Sequence, residues 1–182
     1  LLARQTVRFV SAWPVQGTPP AGVAEAGAGE KIDFALTLTP AQTAPEALHL
    51  VPRMGVLGVG CKRGTTVEQL EEAFARFCAE YGTPASAICA AASIDLKQDE
   101  AGLAAFCAAH GWPITFYTAE QLRQTEGDFT PSAFVKSITG VDNVCERAAV
   151  KAAGGPLVCR KFAGGGVTLA LAAKPFAPDW RW

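Results

Sequence analysis

Residues 58–66 read GVGCKRGTT, directly after the apolar run MGVL, and set a thiol and two cations among glycines where a strand should give way to a helix. At such a junction the first helical amides are unpaired donors backed by a partial positive charge, and glycine lets a ligand approach the backbone. Something negative is the expected ligand, held by Gly60, Cys61, Lys62, Arg63, Gly64 and Thr65. The alternative is a plain strand-to-helix turn with two solvated cations. Nucleotide phosphate fails on spacing: a P-loop needs Lys directly before the Thr, where Gly64 stands, and the dinucleotide fingerprint needs glycine where Arg63 stands. Lys62 and Arg63 fit carboxylates instead, which Arg grips in bidentate fashion. The same surroundings would lower the pKa of the Cys61 thiol toward that of a nucleophile. Neither of the two histidines, His49 and His110, offers it a convincing base.

A second cluster is SIDLKQDE, residues 93–100, at the end of an apolar strand, where ligands gather in α/β sheets. Asp95, Lys97 and Glu100 place a base, a cation and an acid within one turn of chain, a set able to activate water or stabilise an oxyanion. Charges capping a helix would look the same. Glu146 and Lys161 are further candidates for substrate contact, each also readable as a surface charge. No cluster with metal-ligand spacing occurs.

The elements that must position these residues are legible from Leu50 onward as alternating strands and helices, which predicts a layered α/β/α domain. Its sheet should be mixed and mainly parallel, with a carboxy-terminal antiparallel hairpin. Strands are expected through VLGVG, SAICAAASI and PITFY. Between them run helices opened by Thr65 with Glu68 or Thr66 with Gln69, and by Thr118 with Gln121. Gly82 and Gly111 should end two helices. Thr130-Pro131 reads as an N-cap and first helical position, and Asp142 as the N-cap of NVCERAAVKAA. PLVCRKF and GGGVTLALAAK should form the hairpin, turning on Gly164, Gly165 and Gly166. Before Leu50 only TVRFVSA and DFALTLT read as strands, separated by a Gly- and Pro-rich loop, too little for a core of its own.

Composition excludes several classes of function. Of the 182 residues 49% are hydrophobic and 18% charged, the balance of a folded protein and not of a disordered one. A net charge of -1, with no basic run interleaved with aromatics, argues against nucleic acid. No apolar stretch reaches the ~20 residues of a membrane span, and Arg4 and Arg8 interrupt any signal-like start. The six cysteines are irregularly scattered, without CxxC, which fits a reduced, cytoplasmic protein. Leu1 in place of Met fits a chain cut from something longer, or simple trimming.

Taken in order from about Leu50 to Lys174, GVGCKRGTTVEQLEEA, ASIDLKQDEAGLAAFC, ITFYTAEQL, GVDNVCERAAVKAAGG and LVCRKFAGGGVTLALA resemble the carboxy-terminal domain of the CbiG family of cobalamin biosynthesis. VRFVSAWPVQG and DFALTLTP, leading to LHLVPR, are similar to that family's middle region. The resemblance implies residues 1–50 as a remnant of the middle region with its linker, and 51–182 as the carboxy-terminal, CobE-like domain. It further implies hydrolysis of cobalt-precorrin-5A in the anaerobic pathway: a δ-lactone is opened and acetaldehyde released, giving cobalt-precorrin-5B. The partner would be a cobalt-corrinoid intermediate, with other cobalamin-pathway enzymes nearby. No cofactor is expected, since the cobalt belongs to the substrate, and neither nucleic acid nor membrane. On this reading Lys62, Arg63 and the amides after Cys61 anchor acetate and propionate groups, Asp95 or Glu100 is the base, and Lys97 stabilises the oxyanion. CobE, the smaller relative from the aerobic pathway, keeps open a non-catalytic corrinoid-binding or carrier module. The family usually has Arg where Lys62 stands, and complete CbiG proteins carry an amino-terminal domain with no counterpart in these residues, so the fragment alone is open to being inactive.

Overall fold

The computed structural model describes residues 6–181, apart from the side chain of Phe134. Arg4 lies outside that range. The amino-terminal part holds four short strands where two were expected: β1 (Val7–Ser11), β2 (Val23–Glu25), β3 (Phe34–Leu36) and β4 (Leu48–Leu50). All three pairings are parallel and the order is β2-β1-β3-β4. A single helical turn, α1 (Pro40–Thr43), joins β3 to β4. β2 lies within the Gly- and Pro-rich stretch and β4 starts three residues after Pro45, and neither three-residue strand is set in a longer alternating run as β3 is, so the sequence hides both β2 and β4.

The remaining elements are β5 (Gly55–Cys61), α2 (Val67–Tyr81), β6 (Ile88–Ile94), α3 (Ala101–Ala109), β7 (Ile114–Tyr117), α4 (Ala119–Arg123), α5 (Ala133–Thr139), α6 (Cys145–Ala153), β8 (Leu157–Gly164) and β9 (Val167–Ala173). Their sheet has the order β7-β6-β5-β9-β8. β5, β6 and β7 are mutually parallel, and β9 runs antiparallel to both β5 and β8. Four strands therefore point one way, and the expected mixed, mainly parallel α/β fold is what forms.

Both faces of the sheet are covered, which is why its central strands are apolar runs. On one face Leu57 and Val59 pack with Leu70, Phe74 and Phe77 of α2 and with Leu103 and Phe106 of α3. On the other, Val56, Ala92 and Ile94 meet Ala148 and Ala149 of α6. Here the fit is tightest at Gly58, where an added Cβ would lie 1.8 Å from the Cys145 carbonyl oxygen. The chain after β9 returns to the first sheet, with Trp180 edge-on to Phe9 at 5.2 Å and Gln16 bridging to Asp179.

Local signals account for most helix ends. Thr66 and Gln69 form a full capping box on α2, so the Thr66 alternative is the one used, and Thr118 and Gln121 form another on α4. Gly82 ends α2 in the left-handed region at φ 60°. Two expected caps are corrected. Ser132, not Thr130, caps α5, its hydroxyl accepting from the Val135 amide, because Thr130 is drawn into a buried network. Asp142 does not cap α6: its carboxylate pairs with Arg147 at 3.0 Å, and Asn143 Oδ1 accepts from the Glu146 amide instead. The hairpin turns on Gly165 and Gly166, both at positive φ, with Gly164 inside the strand.

Candidate functional site

Because β5, β6, β7 and β8 run the same way, the segments that follow them lie along one end of the sheet in strand order. The Gly165–Gly166 turn stands beside the 62–66 loop, where the Lys62 amide donates to the Gly166 carbonyl at 3.1 Å. Next comes the 95–100 segment, which opens with a 3-10 turn over Asp95–Lys97. The two motifs singled out by sequence are physically joined. Gly64 N–H donates to Glu100 Oε2 at 2.8 Å, and Lys97 Nζ stands 3.0 Å from Glu100 Oε1. Gly102 lets α3 sit against the loop, since a Cβ there would lie 2.1 Å from the Thr65 carbonyl oxygen. That glycine escaped the sequence reading, although a glycine in the first turn of a helix is a signal of close approach.

Glu100 is the centre of this junction. The Gly64 amide, followed by the Lys97 hydrogen bond, holds its carboxyl below the usual carboxylate range. The side chains of Lys97 and Glu100 are only 14% and 11% exposed. Asp95, by contrast, is exposed and has no side-chain partner among the described residues. The trio read as one catalytic group thus divides into a half-buried ion pair and a solvent-facing carboxylate.

Cys61 does not have the lowered pKa expected of a nucleophile. Burial pushes its thiol up, and neighbouring Lys97 and the Thr65 hydroxyl only partly oppose this. The amide cradle is also largely spent within the protein. Lys62 N–H serves Gly166, Gly64 N–H serves Glu100, Thr65 N–H turns back to the Lys62 carbonyl, and Thr66 N–H goes to Gln69. Gly60 is a packing glycine, its position pressed by Thr168 Oγ1, which donates to the Gly60 carbonyl at 3.3 Å. Thr65 is buried, its hydroxyl donating to the Lys62 carbonyl. The Lys62 and Arg63 side chains remain exposed, and Lys62 has no acidic partner among the described residues. They are the groups of the loop free to meet an anion.

Glu146 requires a correction, because it is 0% exposed and can be neither a surface charge nor a ligand contact. Its carboxylate accepts from Thr130 N–H at 2.6 Å, Thr130 Oγ1 at 3.0 Å, Asn143 Nδ2 at 2.6 Å and Lys161 N–H at 2.7 Å. Four donors satisfy a buried carboxylate. Lys161 is half-buried on the edge strand and is held there through its backbone.

An open depression of about 480 Å³ lies elsewhere, between Asp128, Phe129 and the first residues of β8, and none of its lining residues is among those proposed from sequence. Among the described residues no group of three or more His, Cys, Asp or Glu is placed to hold a metal ion. No helix among them is long and apolar enough to cross a membrane.

The sequence profile of the cobalamin synthesis G C-terminus matches residues 55–172, which takes in the larger sheet to within one residue of its end and the whole of the rim just described. The chain is 34% identical over 122 residues to the cobalt-precorrin-5A hydrolase of Salmonella typhimurium, covering 67% of this chain and 35% of that protein. It is 31% identical over 126 residues to the cobalt-precorrin-5A hydrolase of Priestia megaterium, covering 69% and 33%. The match thus spans about a third of the length of each hydrolase. The crystal structure of CobE, a protein from the cobalamin (vitamin B12) biosynthetic pathway, superposes with a TM-score of 0.62 at 32% identity, covering 68% of this chain and 92% of that one. Profile, sequence and fold agree, and the chain belongs to the cobalamin synthesis G C-terminus family.

Proposed function

We propose that the chain acts in cobalamin biosynthesis as the carboxy-terminal part of a cytoplasmic enzyme that hydrolyses cobalt-precorrin-5A. The observation that carries this reading is the rim itself. Exposed Lys62 and Arg63 stand on the loop that Gly64 and Glu100 join to the turn bearing an exposed leucine, Leu96, at 57%, and an unpaired carboxylate, Asp95. Such a surface suits a large apolar ring edged with carboxylates better than a small enclosed ligand. Lys62 and Arg63 anchor acetate or propionate groups.

Asp95 is the better placed of the two candidate bases, since Glu100 is tied to Gly64 and Lys97. It takes a proton from water as the oxygen attacks the lactone carbonyl, and Lys97, two residues away, turns from Glu100 to stabilise the resulting oxyanion. Collapse breaks the ring C–O bond and leaves a carboxylate and a hydroxyl. The hydroxyl then gives its proton to Asp95 as its C=O forms and the C–C bond to the macrocycle breaks, so that acetaldehyde departs and the electron pair of that bond passes into the ring.

Incubation with cobalt-precorrin-5A, with acetaldehyde trapped and quantified, tests this. Release is expected, slowed ~10²-fold or more by Asp95→Asn at unchanged corrinoid affinity. Lys62→Ala with Arg63→Ala should weaken corrinoid binding. Binding without acetaldehyde by the full-length protein as well as by these residues alone would favour a carrier module of the CobE type, and absence of binding by both would remove both readings.

A further inference from the structure

We propose that the Gly64 amide, the Lys97 ammonium and the adjacent Arg63 guanidinium form a carboxylate-binding subsite, and that the Glu100 side chain occupies it as an internal stand-in for a ligand carboxylate. The inference rests on the reading of the rim as a carboxylate surface.

Three observations carry it. Each oxygen of Glu100 has its own donor, from two separate segments: Gly64 N–H to Oε2 at 2.8 Å, and Lys97 Nζ to Oε1 at 3.0 Å. That is the one-donor-per-oxygen arrangement a bound acetate or propionate would use. Second, Glu100 stands at the N-cap position of α3 yet makes no side-chain cap bond to that helix. A carboxylate at that position is ordinarily drawn to its own helix amides. Here it reaches back 36 residues to another loop. Third, the loop is open from outside. Gly64 is exposed at φ 72°, and a Cβ built there meets nothing within 4 Å. A ligand can therefore reach the loop beside the amide that Glu100 covers. The same donors, the Gly64 amide first and then Lys97 with Arg63, hold the Glu100 carboxyl below its ordinary range, in keeping with a site suited to a negative charge.

The consequence is exchange in place of filling. A ligand carboxylate enters as Glu100 swings outward, with one anion replacing another and no change in the charge of the pocket. A ligand with several carboxylates, anchored elsewhere on the rim, is the kind able to displace it through effective concentration.

Acetate is the probe. In Glu100→Ala, sodium acetate should raise the Tm saturably, relative to sodium chloride of equal ionic strength, and shift the Gly64 amide resonance in ¹H–¹⁵N spectra. The wild-type protein should show neither at the same concentrations, and adding Lys97→Ala should abolish both. No acetate effect in Glu100→Ala, or an equal effect in wild type, would overturn the proposal. Should Glu100→Ala not fold, Glu100→Gln keeps the volume but lacks the charge facing Lys97. Acetate should then shift Gly64 at concentrations that leave wild type unchanged, and an unmoved resonance counts against the subsite. Acetate binding by the variants without corrinoid binding by wild type would defeat the cobalamin reading and keep the subsite. Corrinoid binding with no acetate effect would do the reverse.

Discussion

Glu146 Oε1 accepts a hydrogen bond from the Lys161 amide at 2.7 Å, so a carboxylate in the first turn of α6 serves the backbone of the edge strand β8. The same carboxylate holds Thr130 and Asn143, tying the segment between α4 and α6 to the sheet. Glu146→Ala leaves several buried donors unpaired, and Glu146→Gln turns one acceptor oxygen into a competing donor. Each should destabilise the protein by about 3 kcal/mol or more. Urea unfolding checks this, and a loss below about 1 kcal/mol would contradict the role.

Gly58 and Gly64 should respond differently to alanine. At Gly58 the new methyl would lie 1.8 Å from the Cys145 carbonyl oxygen, so α6 must move off the sheet. A cost of about 3 kcal/mol, the upper range for overpacking, is expected. At Gly64 there is space, and only the left-handed φ of 72° opposes the change, at about 1 kcal/mol. Paired denaturation curves would show the order, and reversal would overturn the packing account.

Stability should carry a signature of Glu100 in acid. Its folded-state pKa lies below the ordinary 4.5, so its contribution is present above that value and is lost as the pH falls through the lowered folded value. The difference in unfolding free energy between wild type and Glu100→Gln should be flat from neutral pH down to about 5, then shrink. Shared carboxylates cancel in that difference. A difference that grows in acid would have the wrong sign.

The thiols should be slow to alkylate in the native protein. Burial pushes Cys145 up to about 12 and Cys78, Cys107 and Cys159 up to about 11, and it raises Cys61 as well. With iodoacetamide at pH 8, these five should be modified at least about 10-fold more slowly folded than in denaturant, because the thiolate is the reacting form. Mass spectrometry of the modified sites is the measurement. Rapid labelling at Cys61 would restore the nucleophile reading.

Whatever depended on neighbours in the chain could be read in advance. The capping boxes at Thr66–Gln69 and Thr118–Gln121, the Gly82 stop, the apolar central strands and the glycine hairpin are all set within a few residues. Local dihedral preference and hydrophobic period act at that range, and they were enough to give the α/β layering. What came from the folded chain depends on groups far apart in sequence. Parallel pairing of three-residue strands gives β2 and β4 no periodic signal, because their partners supply the stability. Glu146 looked like a surface charge because its burial is permitted only by donors from Thr130, Asn143 and Lys161. Asp95 and Glu100 looked alike as carboxylates one turn apart. The meeting of Glu100 with Gly64 gave one a fixed place and left the other to solvent, since hydrogen bonding to a distant amide is a property of the fold and not of the segment.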